Sequence, residues 1–207
     1  MAVSKSTNLR DSAFLGHVRE DRLYALWHLL GTTGLRRGEA LGLRWTDLDL
    51  DGEKLAVRQT LVTVGYAVEF SEPKTDKGRR SVDLDAGTVG VLRDHRRRHL
   101  EERLALGQGY QDSGVVFTQP DGKLIHPDEL SKAFKRHVKA AGLPALSVHG
   151  LRHTWASLAL RANVHPKIVS ERLGDANIGV TLDTYSHLIP TLGREAAATV
   201  ATVIQGG

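Results

Sequence analysis

"TTGLRRGEALGLRWTDLDLDGEKLAVRQTLV", residues 32–62, changes its period partway along. The first half reads as a turn followed by a short helix, with Gly34 letting the backbone turn tightly just before Arg36. The second half alternates like a strand around Asp51-Gly52, a dipeptide that marks a hairpin. Reading outward, Leu23, Leu26, Trp27 and Leu30 recur at helical spacing, and Ser12 or Asp11 can cap a helix before them. Downstream, residues 66–70 and 79–84 read as short strands with the polar turn 71–78 between them. A long helix is expected from about Ala86 to about Leu106, and residues 114–118 form a short strand or extended piece. Residues 126–142, with Pro127 early and Gly142 at the end, and residues 148–163 both read as helices. Three more helical stretches follow at 166–174, 179–188 and 192–204. There is no repeat and no low-complexity linker. Helices, then a small antiparallel sheet, then mostly helices predict one α+β domain, mainly helical, over residues 1–207.

Composition narrows the partners. Apolar residues make up 41% of the 207, enough for a packed core and too many for a disordered chain. Cysteine is absent, so no disulfide, thiolate metal site or cysteine nucleophile is available. This fits a reducing cytoplasm. No apolar run is long enough to span a membrane, and the N-terminus lacks the apolar stretch of a secretory signal. A net charge of +4 is compatible with a basic face that contacts phosphates, without requiring one.

Four segments carry residues able to do chemistry. In "VHGLRHTW", His149, Arg152 and His153 stand at i, i+3 and i+4, while Leu151, Trp155 and Leu158 form an apolar face. The polar face is either merely solvated or an anion site. Arginine offers a planar fork for phosphate oxygens, and histidine exchanges a proton near neutral pH. Arg36 and Glu39 are i, i+3, so the carboxylate can orient the guanidinium, or the two form a surface ion pair worth about 0–1 kcal/mol. Lys74 lies in the turn between strands with Lys77, Arg79 and Arg80 close behind. A lysine there can reach a backbone phosphate and deliver a proton to a leaving oxygen. Tyr185 falls in line with Ile178 and Leu182 at helical spacing, which suits a partly buried core residue. It could also be a nucleophile. A phenol of reference pKa about 10 is a weak one and needs cations around its target.

Together and in this order, Arg36 in "TTGLRRGEALGLRW", Lys74 in "PKTDKGRRSVDL", His149 and Arg152 in "VHGLRHTWAS", and Tyr185 in "TLDTYSHL" resemble the catalytic domain of the tyrosine recombinases, the phage integrase family. The resemblance runs from about residue 11 to about residue 190 and is nearest to integrases of bacterial integrative elements and actinobacterial phages. It implies the DNA breaking-rejoining catalytic fold and site-specific strand exchange between DNA duplexes, with no metal and no cofactor. It casts Tyr185 as the nucleophile that forms a 3′-phosphotyrosine. Arg36 and Arg152 would clamp the non-bridging oxygens, Lys74 would protonate the leaving 5′-oxygen, and His149 would assist proton transfer. Lys77, Arg79, Arg80 and His153 would be further phosphate contacts. The implied partners are double-stranded DNA and further copies of the chain, a tetramer on DNA and a monomer without it. No membrane is involved, and the implied setting is a bacterial or phage-encoded cytoplasmic protein. Residues 1–10 and 190–207 would flank the domain, the latter packing in cis or docking on a neighbouring protomer. The family's N-terminal core-binding and arm-binding domains are absent from the sequence, which reads as a fragment or a truncated gene.

Three positions depart from the family pattern. Gly150 stands where Asp usually precedes Leu-Arg, and Asp83 where Pro usually precedes Leu. In "RLGDANIG", Asp175 follows Leu-Gly where the family has His, sometimes Trp. That family residue donates a hydrogen bond to the phosphate, which an ionised carboxylate cannot do. The resemblance therefore implies weakened activity unless Asp175 is protonated, turned onto Arg172, or replaced in its role by His153 or His187. The other readings are a catalytically silent DNA-binding module of the same fold, and a type IB topoisomerase or telomere resolvase.

Overall fold

The computed structural model describes residues 12–73, 78–175, 177–179 and 200–205. Residues 12–17 are helical (α1) and deliver Phe14 to the interior. Helix α2 (Tyr24–Thr33) is the central strut: Ala25, Leu26, Trp27, Leu29 and Leu30 are all buried. A helix that is apolar on so many faces must be enclosed. The later helices α4 (Ala86–Leu106) and α6 (Val148–Arg161) pack against it. Phe14, Trp27 and Phe134 meet in a tilted and edge-on aromatic cluster that ties α1 and α2 to α5 (Pro127–Ala140).

The short helix α3 (Arg37–Leu41) hands the chain to the strands. The expected hairpin forms: β1 (Leu48–Asp49) pairs with β2 (Lys54–Val57), Leu48 facing Leu55. β5 (Arg80–Asp83) joins on the other side of β2, with Leu55 opposite Val82 and both buried on the core face. One expectation needs correcting. There are two small antiparallel sheets, not one: β1-β2-β5, and a separate hairpin of β3 (Thr60–Val64) and β4 (Ala67–Ser71). The strands on either side of the polar turn, β4 and β5, therefore lie in different sheets. The break falls between β2 and β3, where the Gln59 side chain bonds to the Gly42 carbonyl (2.8 Å). Residues 114–118 form no strand and carry two isolated bridges, Arg44 to Val115 and Thr118 to Leu124.

The long helices stop and start at their capping residues. Asp85 accepts from the Thr88 amide at the start of α4, and Ser147 from the Gly150 amide (3.0 Å) at the start of α6. His126 and His165 serve α5 and α7 (Pro166–Leu173) in the same way, each followed by a proline at the first helical position. α7 ends on Gly174 in the left-handed conformation (φ 65°), which glycine adopts without a Cβ penalty. Among the described residues, no helix is long and apolar enough to cross a membrane.

α4 also buries His95, stacked on Trp45 and tilted against Phe117, with its Nε2–H donating to the Val116 carbonyl (2.8 Å). Burial pushes its pKa down to about 4. A histidine whose native pKa lies below its unfolded value near 6.5 must stay neutral to remain folded. Its contribution to stability is complete above pH 6.5 and is lost as pH falls toward 4, for a total of about 3 kcal/mol. Urea unfolding at a series of pH values should show this slope, and His95→Leu should flatten it. Identical slopes in the two proteins would exclude His95 as the cause.

Candidate active site: a two-arginine anion clamp

Gly34, at the end of α2, starts the site. It sits at φ 70°, and a Cβ there would lie 3.0 Å from Leu173 and 3.1 Å from Trp155. α2, α6 and α7 converge at this point, and only glycine lets them approach so closely. Two residues on, Arg36 caps α3. Its amide donates to Glu39 Oε2 (2.8 Å) and its Nη1 to Glu39 Oε1 (2.9 Å). The guanidinium then reaches across to the end of α7, donating to the carbonyls of Leu173 (3.2 Å) and Gly174 (3.3 Å).

Arg152 arrives from α6. The i, i+3 spacing left open a solvated polar face, but Arg152 is buried while His149 and His153 are exposed. Its burial is matched by acceptors: Nη1 donates to the Gly34 carbonyl (2.9 Å), and Nη2 to the Leu173 carbonyl (2.8 Å) and Asp175 Oδ1 (2.8 Å). Burial, and then the charge of Arg36, press its pKa below the usual arginine value, while Asp175 and Glu39 oppose that. The last carbonyls of a helix have no partner within the helix and carry negative partial charge, so two arginines at the C-terminus of α7 are well placed.

Asp175 occupies the space between them. Its Oδ1 lies 2.8 Å from Arg152 and 3.4 Å from Arg36, and its amide is tied to the Ser170 carbonyl (3.1 Å). One carboxylate oxygen thus receives both guanidinium groups. The alternative that Asp175 turns onto Arg172 is not what the structure shows: the Arg172 guanidinium lies over the Trp155 ring, 5.0 Å from its centre.

Glu39 is not part of a surface ion pair. It is 6% exposed and shared by two arginines, with Arg80 gripping both of its oxygens at 2.9 and 2.8 Å. Burial alone would raise the Glu39 carboxyl, but the hydrogen bonds and charges of Arg80 and Arg36 outweigh it and hold it below its usual range. Arg80, expected among the phosphate contacts, is turned inward. Its Nε donates to the Arg172 carbonyl (2.6 Å) and its Nη1 also reaches the Gly78 carbonyl (3.2 Å). Arg79 is exposed and paired with Glu72 (2.7 Å).

His149 projects from the first turn of α6, its ring edge-on to His153 with centres 4.4 Å apart. Partial burial, then the charges of His153, Arg152 and Arg36, lower its pKa. A neutral imidazole beside the clamp can accept a proton. His149, Arg36 and Arg152 line a cleft of about 740 Å³ together with Arg37, Thr60 and Lys135. Arg37, in no motif of the sequence, holds α5 through the Pro127 carbonyl (3.0 Å) and Ser131 Oγ (2.6 Å). Its only signal was adjacency to Arg36. Tyr185, Lys74, Lys77 and His187 lie outside the described residues. Among the described residues, no group of three or more His, Asp or Glu side chains is arranged to hold a metal ion.

A helical α+β domain whose strand-bearing half and C-terminal helices meet at paired arginines defines the class, and comparison with known proteins agrees. The phage integrase family model matches residues 12–191, and the chain belongs to that family. It is 36% identical over 200 residues to a tyrosine recombinase XerC-like protein of Caldanaerobacter subterraneus subsp. tengcongensis, covering 91% of this chain and 50% of the relative. It is 30% identical over 171 residues to a putative prophage phiRv2 integrase of Mycobacterium tuberculosis, covering 83% and 44%. A solved structure of the Tn1549 transposon integrase in complex with circular intermediate DNA superposes with a TM-score of 0.77 at 25% identity, over 91% of this chain and 64% of that one. The chain spans about half the length of the curated relatives it matches.

Proposed function

We propose that residues 12–191 are the catalytic domain of a recombinase that breaks and rejoins DNA through a 3′-phosphotyrosine on Tyr185. The observation that carries this reading is the convergence of Arg36 and Arg152 on a single oxygen of Asp175. A pair that holds one carboxylate oxygen can hold a non-bridging phosphate oxygen in its place, and fixed donors at developing charge are the main resource of such sites. The Tyr185 oxygen attacks phosphorus, the P–O5′ bond breaks, and Lys74 gives its proton to the leaving 5′-oxygen. His149, neutral at the cleft rim, takes part in removing the phenol proton. The 5′-hydroxyl of a second strand then attacks phosphorus and releases the tyrosine. The phosphodiester count is unchanged, so no ATP is consumed.

Exchange between two duplexes takes four such events, which assigns four copies of the chain to one DNA assembly, in the cytoplasm of a bacterium. The position of Asp175 supports weakened cleavage, because the phosphate must displace it. It also favours a second reading, a silent DNA-binding module whose anion clamp is permanently filled. A randomised pool of duplexes nicked near their centre, from which a short 5′ fragment diffuses after cleavage, separates the two. The first reading yields a covalent adduct that mass spectrometry maps to the peptide containing Tyr185. Retention of duplex in a mobility-shift assay with no adduct would leave the second.

A further inference from the structure

We infer that Arg80 is a positioning residue of this site, which sets the orientation of the two clamp arginines through Glu39 and the end of α7. The inference rests on the strand-cleavage reading for its rate prediction and on geometry alone for the rest. Arg80 comes from β5, and its side chain is 7% exposed, as deeply enclosed as that of Glu39 at 6%. Its guanidinium bonds in two directions. Toward α3 it makes a two-bonded pair with Glu39, and Glu39 in turn holds both the amide and the Nη1 of Arg36. Toward α7 it binds the carbonyl of Arg172 (2.6 Å), one residue before Leu173, whose own carbonyl receives Arg36 and Arg152 together.

The strand, the short helix and the end of α7 are therefore joined at one side chain. A buried carboxylate shared by two cations is divided between them. Without Arg80, Glu39 keeps its charge and only Arg36 remains to neutralise it, so Arg36 is drawn back toward α3 and away from the cleft. At the same time the Arg172 carbonyl loses its donor and the end of α7 is released. Lysine cannot restore this arrangement, because an ammonium lacks the planar fork that spans two carboxylate oxygens while a third nitrogen reaches elsewhere. The geometry also separates Arg80 from a phosphate contact: all three of its nitrogens already donate to protein acceptors.

The test uses Arg80→Gln and Arg80→Lys in the full chain, with thermal unfolding to select variants that fold. Arg80→Lys keeps the charge and is read alone if Arg80→Gln does not fold. Two measurements are made on each. The first is ¹⁵N NMR of the arginine Nε–H groups, assigned through Arg36→Lys and Arg152→Lys reference spectra. The second is the single-turnover rate of covalent adduct formation at saturating duplex, alongside duplex affinity. Expected are shifted Arg36 and Arg152 resonances in both variants, and adduct formation slowed about tenfold with affinity within about twofold, as small misplacements of a positioned group cost rate more than binding. Unchanged resonances would overturn the inference. So would an affinity loss equal to the rate loss, which is the result for a phosphate contact. If the unsubstituted protein forms no adduct, the cleavage reading fails, and the resonances alone still decide the positioning role.

Discussion

Arg152→Ala is expected to slow covalent adduct formation by about 10²–10³-fold, the usual cost of removing a fixed donor from developing charge. The structure adds a second consequence. Arg152 satisfies the Gly34 carbonyl, the Leu173 carbonyl and Asp175 Oδ1 in an enclosed site. Truncation strands the Gly34 carbonyl and leaves the Leu173 carbonyl and Asp175 Oδ1 to Arg36 alone, at about 1–3 kcal/mol for each group left both buried and unpaired. Arg152→Ala should therefore lower the unfolding temperature as well as the rate, and alone it cannot separate clamp from scaffold. Arg152→Lys does separate them. It retains the positive charge but reaches the three acceptors through one ammonium, without a planar fork. The expected result is a protein that folds nearly as stably as the original and cleaves nearly as slowly as the alanine variant, read by thermal unfolding and single-turnover kinetics. A lysine variant cleaving within a few-fold of the original would refute the forked clamp.

The contrast between Arg152 and its neighbours shows what the sequence could convey. Helix bounds were legible where a local residue marks them: Pro127 opens α5 and Gly142 lies just past its end, punctuation read without knowing the fold, whereas the caps at Asp85, Ser147 and Gly174 come from the structure. The paired arginines were legible as residue types, and the resemblance supplied their order. Their surroundings were not. Nothing within a few residues of Arg80 says that its partner is Glu39, 41 positions earlier, or that the two lie buried together. "RRSVDL" reads as a strand entered from a basic turn, and the charge of Arg80 reads as outward until the sheet turns it inward. Helical spacing put His149, Arg152 and His153 on one face, but it could not tell that the middle one faces the end of α7, which comes from a later segment. The split into two sheets failed for the same reason. Strand pairing is decided between segments, and the sequence of 71–78 says only that a turn is present.

Asp175 is where pattern and structure bear on each other most, and changing it should raise activity. The carboxylate is 11% exposed on its side chain and lies between two cations. Opposite charges about 4 Å apart attract by about 4 kcal/mol at an effective dielectric of 20, so an incoming phosphate competes with an ion pair already made. Much of that attraction is returned when phosphate replaces carboxylate. What remains is the repulsion between Asp175 and the phosphate wherever the displaced side chain settles. An accelerated cleavage of about 10- to 100-fold, about 1.4–2.8 kcal/mol, is the expected result of relieving it. Two effects are combined in Asp175→His, an emptied clamp and a new donor. Asp175→Ala empties the clamp without adding a donor, and Asp175→Asn adds an amide donor at nearly constant shape. The expected order of adduct rates is His and Asn above Ala, and Ala above the original. A second signature needs no DNA. With the carboxylate gone, Arg36 and Arg152 repel each other at close range, a repulsion that already contributes to the lowered pKa of Arg152. Asp175→Ala should therefore be less stable than the original in a chloride buffer and recover on adding inorganic phosphate, which stabilises whatever state binds it. The original protein, its clamp filled from within, should respond far less to the same phosphate. Equal adduct rates in all four proteins, with equal phosphate responses, would show that Asp175 does not compete for the clamp.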